Sequence, residues 1–352
     1  MKTLTVKASR EYDIHIGAGI ACGALDAFAA QNPGVFCIVT DSTVAPLYAA
    51  EAKEVLSRYG RTETFVFPQG ESSKTTDTFV SLLEFFASSS LTRSDTVIAL
   101  GGGVTGDLAG FAAACYLRGV RVVQVPTTLL AMIDSSVGGK TGVNLKSGKN
   151  QAGAFWQPAR VICDTRFLST LPDEVFADGM AEAVKYGMIA SEALFGIIEN
   201  GFSHSDPRLE DMIYECADIK RRLVEEDERD TGARQLLNFG HTFGHAIEKK
   251  SGYSVSHGRA VASGMVIACR LSEALGRCGR DTTDRLRRAL RANSLPDGIP
   301  YPPAGLTDIA VSDKKRTGGE ITPVLCERVG KCVLERMPFE RLRETVALAF
   351  GE

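Results

Sequence analysis

The sequence predicts an α/β N-terminal part built on a parallel sheet, followed by a mainly α-helical C-terminal part. Three observations carry that reading. Short apolar runs alternate with helical patterns up to about residue 170, which implies a parallel sheet covered on both faces. Beyond Pro172 long helical patterns follow one another, and extended segments return only near the end. The chain has 352 residues, too many for one ordinary core and suited to two compact domains. The expected division is 1–170 and 171–352.

Taken in order, Leu4–Ala8 and Tyr12–Ile16 read as a hairpin. Val35–Thr40 is a buried-type strand ending at Asp41, followed by helical periodicity through Tyr59. Thr64–Phe67 is a further strand and Thr75–Ser89 a further helix. Thr96–Leu100 and Val120–Val125 are apolar strands that bracket a small-residue helix over Asp107–Leu117. In the second part, helices are expected over Pro172–Ile189, Arg208–Glu226, Gln235–Lys250, Gly258–Leu275 and Thr282–Ala292. Ile321–Leu325 and Lys331–Leu334 read as extended. A ligand is then expected in the cleft between the domains, at the carboxyl ends of the sheet strands.

Composition excludes several classes. A formal net charge of -3 argues against nucleic acid or an anionic membrane as the main partner, since both reward a basic surface. No apolar run is long enough for a membrane span, and the first residues alternate polar and apolar rather than forming a leader's apolar core. The nine cysteines are odd in number and scattered, and none form CxxC. That pattern suits reduced, mostly buried thiols and a cytoplasmic protein.

Gly101-Gly102-Gly103-Val104-Thr105-Gly106-Asp107 follows a strand and opens a helix. Glycines let backbone N–H groups approach an anion that the helix N-terminus stabilises, so phosphate or pyrophosphate binding is one reading. Close helix–sheet packing is the other, with Asp107 a first-turn charge that suits the dipole.

Three of only five histidines fall within seventeen residues: His241, His245 and His257. His241 and His245 are four apart on an expected helix and share a face. A catalytic zinc takes three nitrogen or oxygen ligands and keeps one position open; the alternative is hydrogen-bonded core imidazoles. Glu182 lies on an apolar helix and needs a cation, which is either a metal or Lys185 one turn away.

A polar stretch, Asp134–Asn144 and Ser147–Asn150, sets Asp134, Lys140, Lys149 and Asn150 among glycines. It reads either as loops that hold an anionic ligand or as solvated turns. Lys220, Arg234 and Asn238 lead into the histidine helix. Arg234 and Asn238 are expected to point where His241 and His245 point. Cations converging on a metal imply a small anionic substrate.

Together these segments carry a resemblance. LGGGVTGDLAGFAAACYLRGV, VQVPTTLLAMIDSSVGGKTGVN, GKNQAGAFWQP, GMAEAVKYG and LNFGHTFGHAIE resemble the 3-dehydroquinate synthase family of sugar phosphate cyclases, in order and spacing and over nearly the whole chain. The resemblance implies a Rossmann-like NAD-binding domain and a helical metal- and substrate-binding domain. It implies conversion of 3-deoxy-D-arabino-heptulosonate 7-phosphate to 3-dehydroquinate and phosphate in aromatic biosynthesis. Its implied metal ligands, for zinc or cobalt, are Glu182, His241 and His257, with His245 moved to catalysis. NAD falls on Asp41, Glu71, Lys74, Gly102, Gly103, Val104, Asp107, Thr127, Thr128, Lys140, Lys149, Phe167 and Thr170. A sugar-acid phosphate falls on Asp134, Lys140, Asn150, Lys185, Lys220, Arg234, Asn238 and one of Lys314 and Lys315. A homodimer is implied, with Arg118 reaching the neighbouring active site. One departure stands out. The family usually writes His-Gly-Glu-Ala-Val where this chain has His257-Gly258-Arg259-Ala260-Val261, which removes a carboxylate expected to orient the imidazole. The rival readings are an inosose or valiolone synthase with the same chemistry, or a metal-dependent dehydrogenase of the glycerol dehydrogenase type.

Overall fold

The computed structural model describes residues 1–313 and 318–351. Lys314 and Lys315 therefore lie outside the described residues. In chain order the first elements are β1 Lys2–Lys7, β2 Glu11–Gly17, α1 Ala21–Gln31, β3 Phe36–Asp41, α2 Ala50–Leu56 and β4 Thr62–Phe67. Next come α3 Thr76–Ser88, β5 Thr96–Gly101, α4 Gly103–Cys115, β6 Arg121–Pro126, β7 Lys140–Leu145, β8 Gly148–Phe155 and β9 Arg160–Asp164. Five helices follow: α5 Asp173–Ala190, α6 Glu192–Ile198, α7 Leu209–Glu226, α8 His241–Lys250 and α9 His257–Ala274. The chain ends with α10 Arg280–Ala292, α11 Pro303–Asp313, β10 Glu320–Ile321, β11 Val324–Arg328, β12 Lys331–Leu334, β13 Met337–Pro338 and α12 Phe339–Phe350.

Two compact units result: Met1–Leu171 with Pro207–Arg229, and Pro172–Asp206 with Asp230–Glu352. The first is built on a seven-stranded sheet in the order β1-β2-β9-β6-β5-β3-β4, parallel throughout except for the β1–β2 hairpin. The central strands β3 and β5 are buried nearly end to end, as their unbroken apolar runs require. From β3 the chain steps to β4 on one side and then to β5 on the other. The strand order thus reverses beside β3, and in open α/β sheets ligands bind at the carboxyl ends of the strands flanking such a point.

The second unit is mainly helical, with short hairpins β10–β13 and β11–β12. In α5, thirteen of eighteen residues are buried, so this helix serves as the unit's core. Helices α8 and α9 meet through glycine: a Cβ on Gly264 would lie 2.0 Å from the Gly240 carbonyl oxygen.

The structure departs from the sequence reading in four places. Helix α7 belongs with the first unit although it lies beyond residue 171. Its Glu210 and Glu225, with Glu228 just beyond its end, accept hydrogen bonds from the backbone of Ala18, Lys7 and Ser9, which straps it along the β1–β2 hairpin. The polar stretch after β6 is ordered as the hairpin β7–β8. The small-residue helix begins at Gly103 rather than Asp107. The histidine helix begins only at His241, because Gly240 takes φ of +80° and separates it from a short 3-10 helix, Ala233–Asn238.

Candidate metal centre and cofactor-binding residues

In the second unit, α5, α8 and α9 each supply one donor. Glu182 stands in the middle of α5, and His241 and His257 open α8 and α9. Close packing brings them together. A Cβ on Gly258 would sit 2.3 Å from the Asp178 carbonyl oxygen, so the first turn of α9 rests directly on α5. Glu182 Oε1 lies 3.5 Å from His241 Nε2 and 3.4 Å from His257 Nε2. Bonds of about 2.0–2.1 Å at tetrahedral angles place neighbouring ligand atoms about 3.3–3.4 Å apart. The three side chains therefore fit a divalent cation of zinc's size.

The other oxygen of Glu182 pairs with Lys185 one turn on, and both groups are almost wholly buried. Of the two partners that the sequence left as alternatives, Lys185 thus takes one oxygen, while the other faces the two imidazoles with which it could share a metal. Burial works against charge on His257, but hydrogen bonds with Glu182 and Glu248 prevail and raise its pKa to about 10. At His241 burial dominates, reinforced by Lys185 and His257 against the pull of Glu182, and the pKa falls to about 3.

His245 is exposed and stays out of this trio. Its ring centroid lies 5.5 Å from that of His241 and 6.2 Å from that of His257. It is thus placed beside the metal donors. Glu248 is the residue that the sequence reading missed. Its Oε2 lies 3.6 Å from His257 Nδ1, so it backs the imidazole from the side opposite Glu182, as carboxylates commonly do at metal-bound histidines. Arg259 therefore leaves His257 with a carboxylate behind it. The signal was available: Glu248 lies seven residues after His241, two turns along one helix face. A second overlooked group is Asp178, one turn before Glu182. Its carboxylate accepts from Ser256 Oγ at 2.7 Å and from the Arg259 backbone N–H, which fixes the start of α9.

Arg234 is fully buried in the 3-10 helix, which the Gly240 break separates from α8, so Arg234 and Asn238 are not on one continuous helix with His241 and His245. Asn238 lines a small cavity with Gly240, Thr242 and Leu325.

In the first unit, most of the residues that the resemblance implies for NAD follow the carboxyl ends of the sheet strands, whereas Lys140 and Lys149 are on the β7–β8 hairpin. Asp41 closes β3, where it accepts from the Thr43 and Val44 N–H groups at 2.8 and 3.1 Å. Gly102 is the N-cap of α4 and offers no side chain to its first turn, so the amides of Gly103, Val104 and Thr105 have no partner within the helix. A Cβ on Gly102 or Gly103 would press on Thr128 or Ser135 at 3.1 and 2.9 Å. Closer packing occurs at Gly106 and Gly110, where it would meet Gln124 and Thr141 at 2.7 and 2.4 Å. The glycine stretch thus serves both readings, with the open amides at its start and the tight helix–sheet contact further on.

Asp107 is inside α4, where burial pushes its carboxyl pKa up and the ion pair with Lys74 opposes that shift. Lys74 also donates to Asn150 Oδ1 at 2.5 Å. Glu71 accepts from Asn144 Nδ2 at 2.7 Å, while Thr127 follows β6 and Thr128 comes next. Tyr48 joins Phe167 and Thr170, with ring centroids 4.4 Å apart and a 2.5 Å hydroxyl contact. Lys220, on α7, donates to the Asp134 carbonyl at 2.6 Å and pairs with its carboxylate. Lys140 and Lys149 are exposed on the hairpin. Arg118 is also exposed, and both it and Leu117 adopt left-handed backbone, at φ of +66° and +50°.

A family model described as 3-dehydroquinate synthase N-terminal matches residues 64–178, and one described as 3-dehydroquinate synthase C-terminal matches residues 179–316. The chain belongs to the 3-dehydroquinate synthase family. A 3-dehydroquinate synthase from Teredinibacter turnerae is 42% identical over 355 residues, covering 95% of each protein. Among solved structures, a 2-deoxy-scyllo-inosose synthase complexed with carbaglucose-6-phosphate, NAD+ and Co2+ matches with a TM-score of 0.86 at 27% identity, over 98% of this chain and 99% of that one. A 2-epi-5-epi-valiolone synthase from Streptomyces hygroscopicus, with NAD+ and Zn2+ bound, matches with a TM-score of 0.87 at 25% identity over all of both chains. As a member of this family, the protein is an enzyme of the sugar phosphate cyclase type.

Proposed function

We propose that the chain is a 3-dehydroquinate synthase, an NAD- and metal-dependent carbon–oxygen lyase. It converts 3-deoxy-D-arabino-heptulosonate 7-phosphate to 3-dehydroquinate and phosphate by transient oxidation, phosphate elimination, reduction, ring opening and aldol closure. The observation that carries this reading is the meeting of Glu182, His241 and His257 at metal-ligand separations in a chain of this family. Bound NAD would supply a hydride acceptor that becomes the donor later in the same turnover, and a zinc or cobalt ion would supply Lewis acidity at the reacting oxygen.

The protein's own part is binding, orientation and proton management. The open amides of α4 hold the cofactor's pyrophosphate. Asp41, Glu71, Lys74, Asp107, Thr127, Thr128, Lys149, Phe167 and Thr170 hold the rest of it. Lys140, Asn150 and Arg118 fix the substrate phosphate, which leaves with one of its own oxygens accepting the neighbouring C–H proton. Preorganised donors of this kind stabilise the charge that develops. Arg234 and one lysine of the pair 314–315 hold the carboxylate. Asp134, Lys185, Lys220 and Asn238 orient the remaining oxygens. Exposed beside the metal donors, His245 moves the ring hydroxyl proton, since imidazole titrates near neutrality. The protein works as a cytoplasmic homodimer in which Arg118 serves the partner's site. The exposed, left-handed Leu117–Arg118 turn supports that role, because such strain persists only where the surroundings impose it.

The test is phosphate release from the seven-carbon keto acid phosphate with NAD in catalytic amount, followed by product mass. A product lacking only the elements of phosphoric acid, with no NADH accumulating, is expected. Turnover confined to sugar phosphates without a carboxylate, or stoichiometric NADH release, would overturn the assignment.

A further inference from the structure

Four of the nine cysteines converge at one place in the second unit, although they come from three elements and a turn and span sixty-four residues of chain. Cys269 stands on α9 and Cys278 in the turn after it, while Cys326 and Cys332 lie on β11 and β12. The thiols of Cys269, Cys278 and Cys332 all lie close enough to that of Cys326 to shift its acidity, and Cys332 Sγ also lies 3.6 Å from the Met188 carbonyl oxygen. The turn folds Cys278 back onto α9, with its Sγ 3.9 Å from the Cys269 carbonyl oxygen. Cys326 and Cys332 are opposed directly across the β11–β12 ladder.

The hydrogen bonding at that pair is informative. The Cys326 N–H does not enter the ladder; it donates to Ser272 Oγ on α9 at 2.9 Å. The Glu335 N–H donates to the Pro323 carbonyl at 3.1 Å, and counting along from that bonded pair makes Cys326–Cys332 a non-hydrogen-bonded one. Such pairs hold their Cα atoms about 4.5 Å apart, inside the range of about 4.4–6.8 Å that a disulfide spans. The cluster is not a ligand set. Among the described residues, the groups of potential metal donors that all lie within 4.8 Å of one another are Glu182, His241 and His257, and His245, Glu248 and His257, not the thiols.

We propose that Cys326 and Cys332 are a reversible oxidation site, with Cys278 as the thiol through which a peroxide enters. Cys269, Cys326 and Cys332 are buried, whereas Cys278 is partly exposed between exposed Arg277 and Gly279. Peroxide transfers one oxygen to the Cys278 sulfur, giving a sulfenic acid and an alcohol or water. The Cys326 sulfur attacks it and expels water. The Cys332 sulfur then attacks Cys326 and releases Cys278 as a thiol. Two thiols and one peroxide become one disulfide, water and the reduced peroxide, so the electrons balance. Neighbouring thiols lower the pKa of Cys326, while contact with Cys326 and burial raise those of Cys278, Cys269 and Cys332. The Cys326 thiolate therefore takes the Cys278 proton as that sulfur meets the peroxide, and the proton leaves with the expelled water. The strand that carries Cys326 also borders, through Val324 and Leu325, the cavity against Asn238.

The experiment exposes the whole chain to hydrogen peroxide, blocks remaining thiols with an alkylating agent and maps peptides by mass. The expected result is one Cys326–Cys332 linkage with the loss of two hydrogens, reversed by a dithiol reductant. Cys278→Ser should slow its formation at least about tenfold, and a small thiol oxidant that needs no entry residue should still form it in that variant. Cys332→Ser should stop at a Cys278–Cys326 linkage, which covers the case where one variant folds poorly. Cys326 and Cys332 remaining alkylatable, or Cys278 running on to the sulfinic acid with no linkage, would overturn the proposal. Neither result bears on the phosphate-release assay, so the two readings fail separately.

Discussion

Glu182 shows how one residue concentrates the chemistry. It is a carboxylate inside a helix whose face is otherwise apolar, with Lys185 on one oxygen and two imidazoles near the other. Glu182→Gln keeps the volume and removes the charge, so metal affinity should fall at least about a hundredfold, read by competition with a chromophoric chelator. Unchanged affinity would remove this residue from the metal site. His245→Ala should keep full metal content while turnover drops about a hundred- to ten-thousandfold, the range for a lost proton-transfer group. A metal-free variant would instead make His245 a ligand. In the first unit, Lys74→Met should destabilise the fold by about 3 kcal/mol in urea denaturation, because it strands the largely buried Asp107 carboxylate. An unchanged midpoint would show that the pair is not holding the fold.

At the level of elements, glycine spacing decides which side chains meet. Gly264 lets α9 lie on the backbone of Gly240, and Gly258 lets it lie on α5. Gly264→Ala should cost about 1–3 kcal/mol by overpacking and should weaken metal binding without touching a ligand; thermal unfolding and chelator competition read the two effects. Loss of stability with metal affinity intact would separate the packing from the site. Much of this was legible in the sequence. The apolar runs Val35–Thr40 and Thr96–Leu100 named the central strands, and three histidines in seventeen residues named the metal region. The break at Gly240 was harder to see, because the helical period runs on through Gln235–Asn238 and only a backbone angle ends it. Hairpin β7–β8 was hidden because its sequence is polar and rich in glycine, so it carries no apolar alternation. Helix α7 is amphipathic, and nothing in that pattern says which unit its apolar face joins. Glu248 was overlooked because it contributes no metal donor to the trio; it acts through His257.

At the scale of the whole molecule, Arg118 carries the expectation of a shared site. Arg118→Ala mixed with Glu182→Gln should recover about a quarter of dimer activity if arginines serve the partner's site, since random pairing leaves such hybrids with one intact site of two. No recovery, with subunit exchange verified by native mass spectrometry, would confine each site to its own chain. The central claim is the metal centre that joins α5, α8 and α9. Anomalous diffraction at the zinc edge tests it most directly. The account requires one metal peak with ligand distances of about 2.0–2.2 Å to Glu182 Oε1, His241 Nε2 and His257 Nε2. A peak held instead by His245 and Glu248, or no peak in fully active crystals, would contradict it.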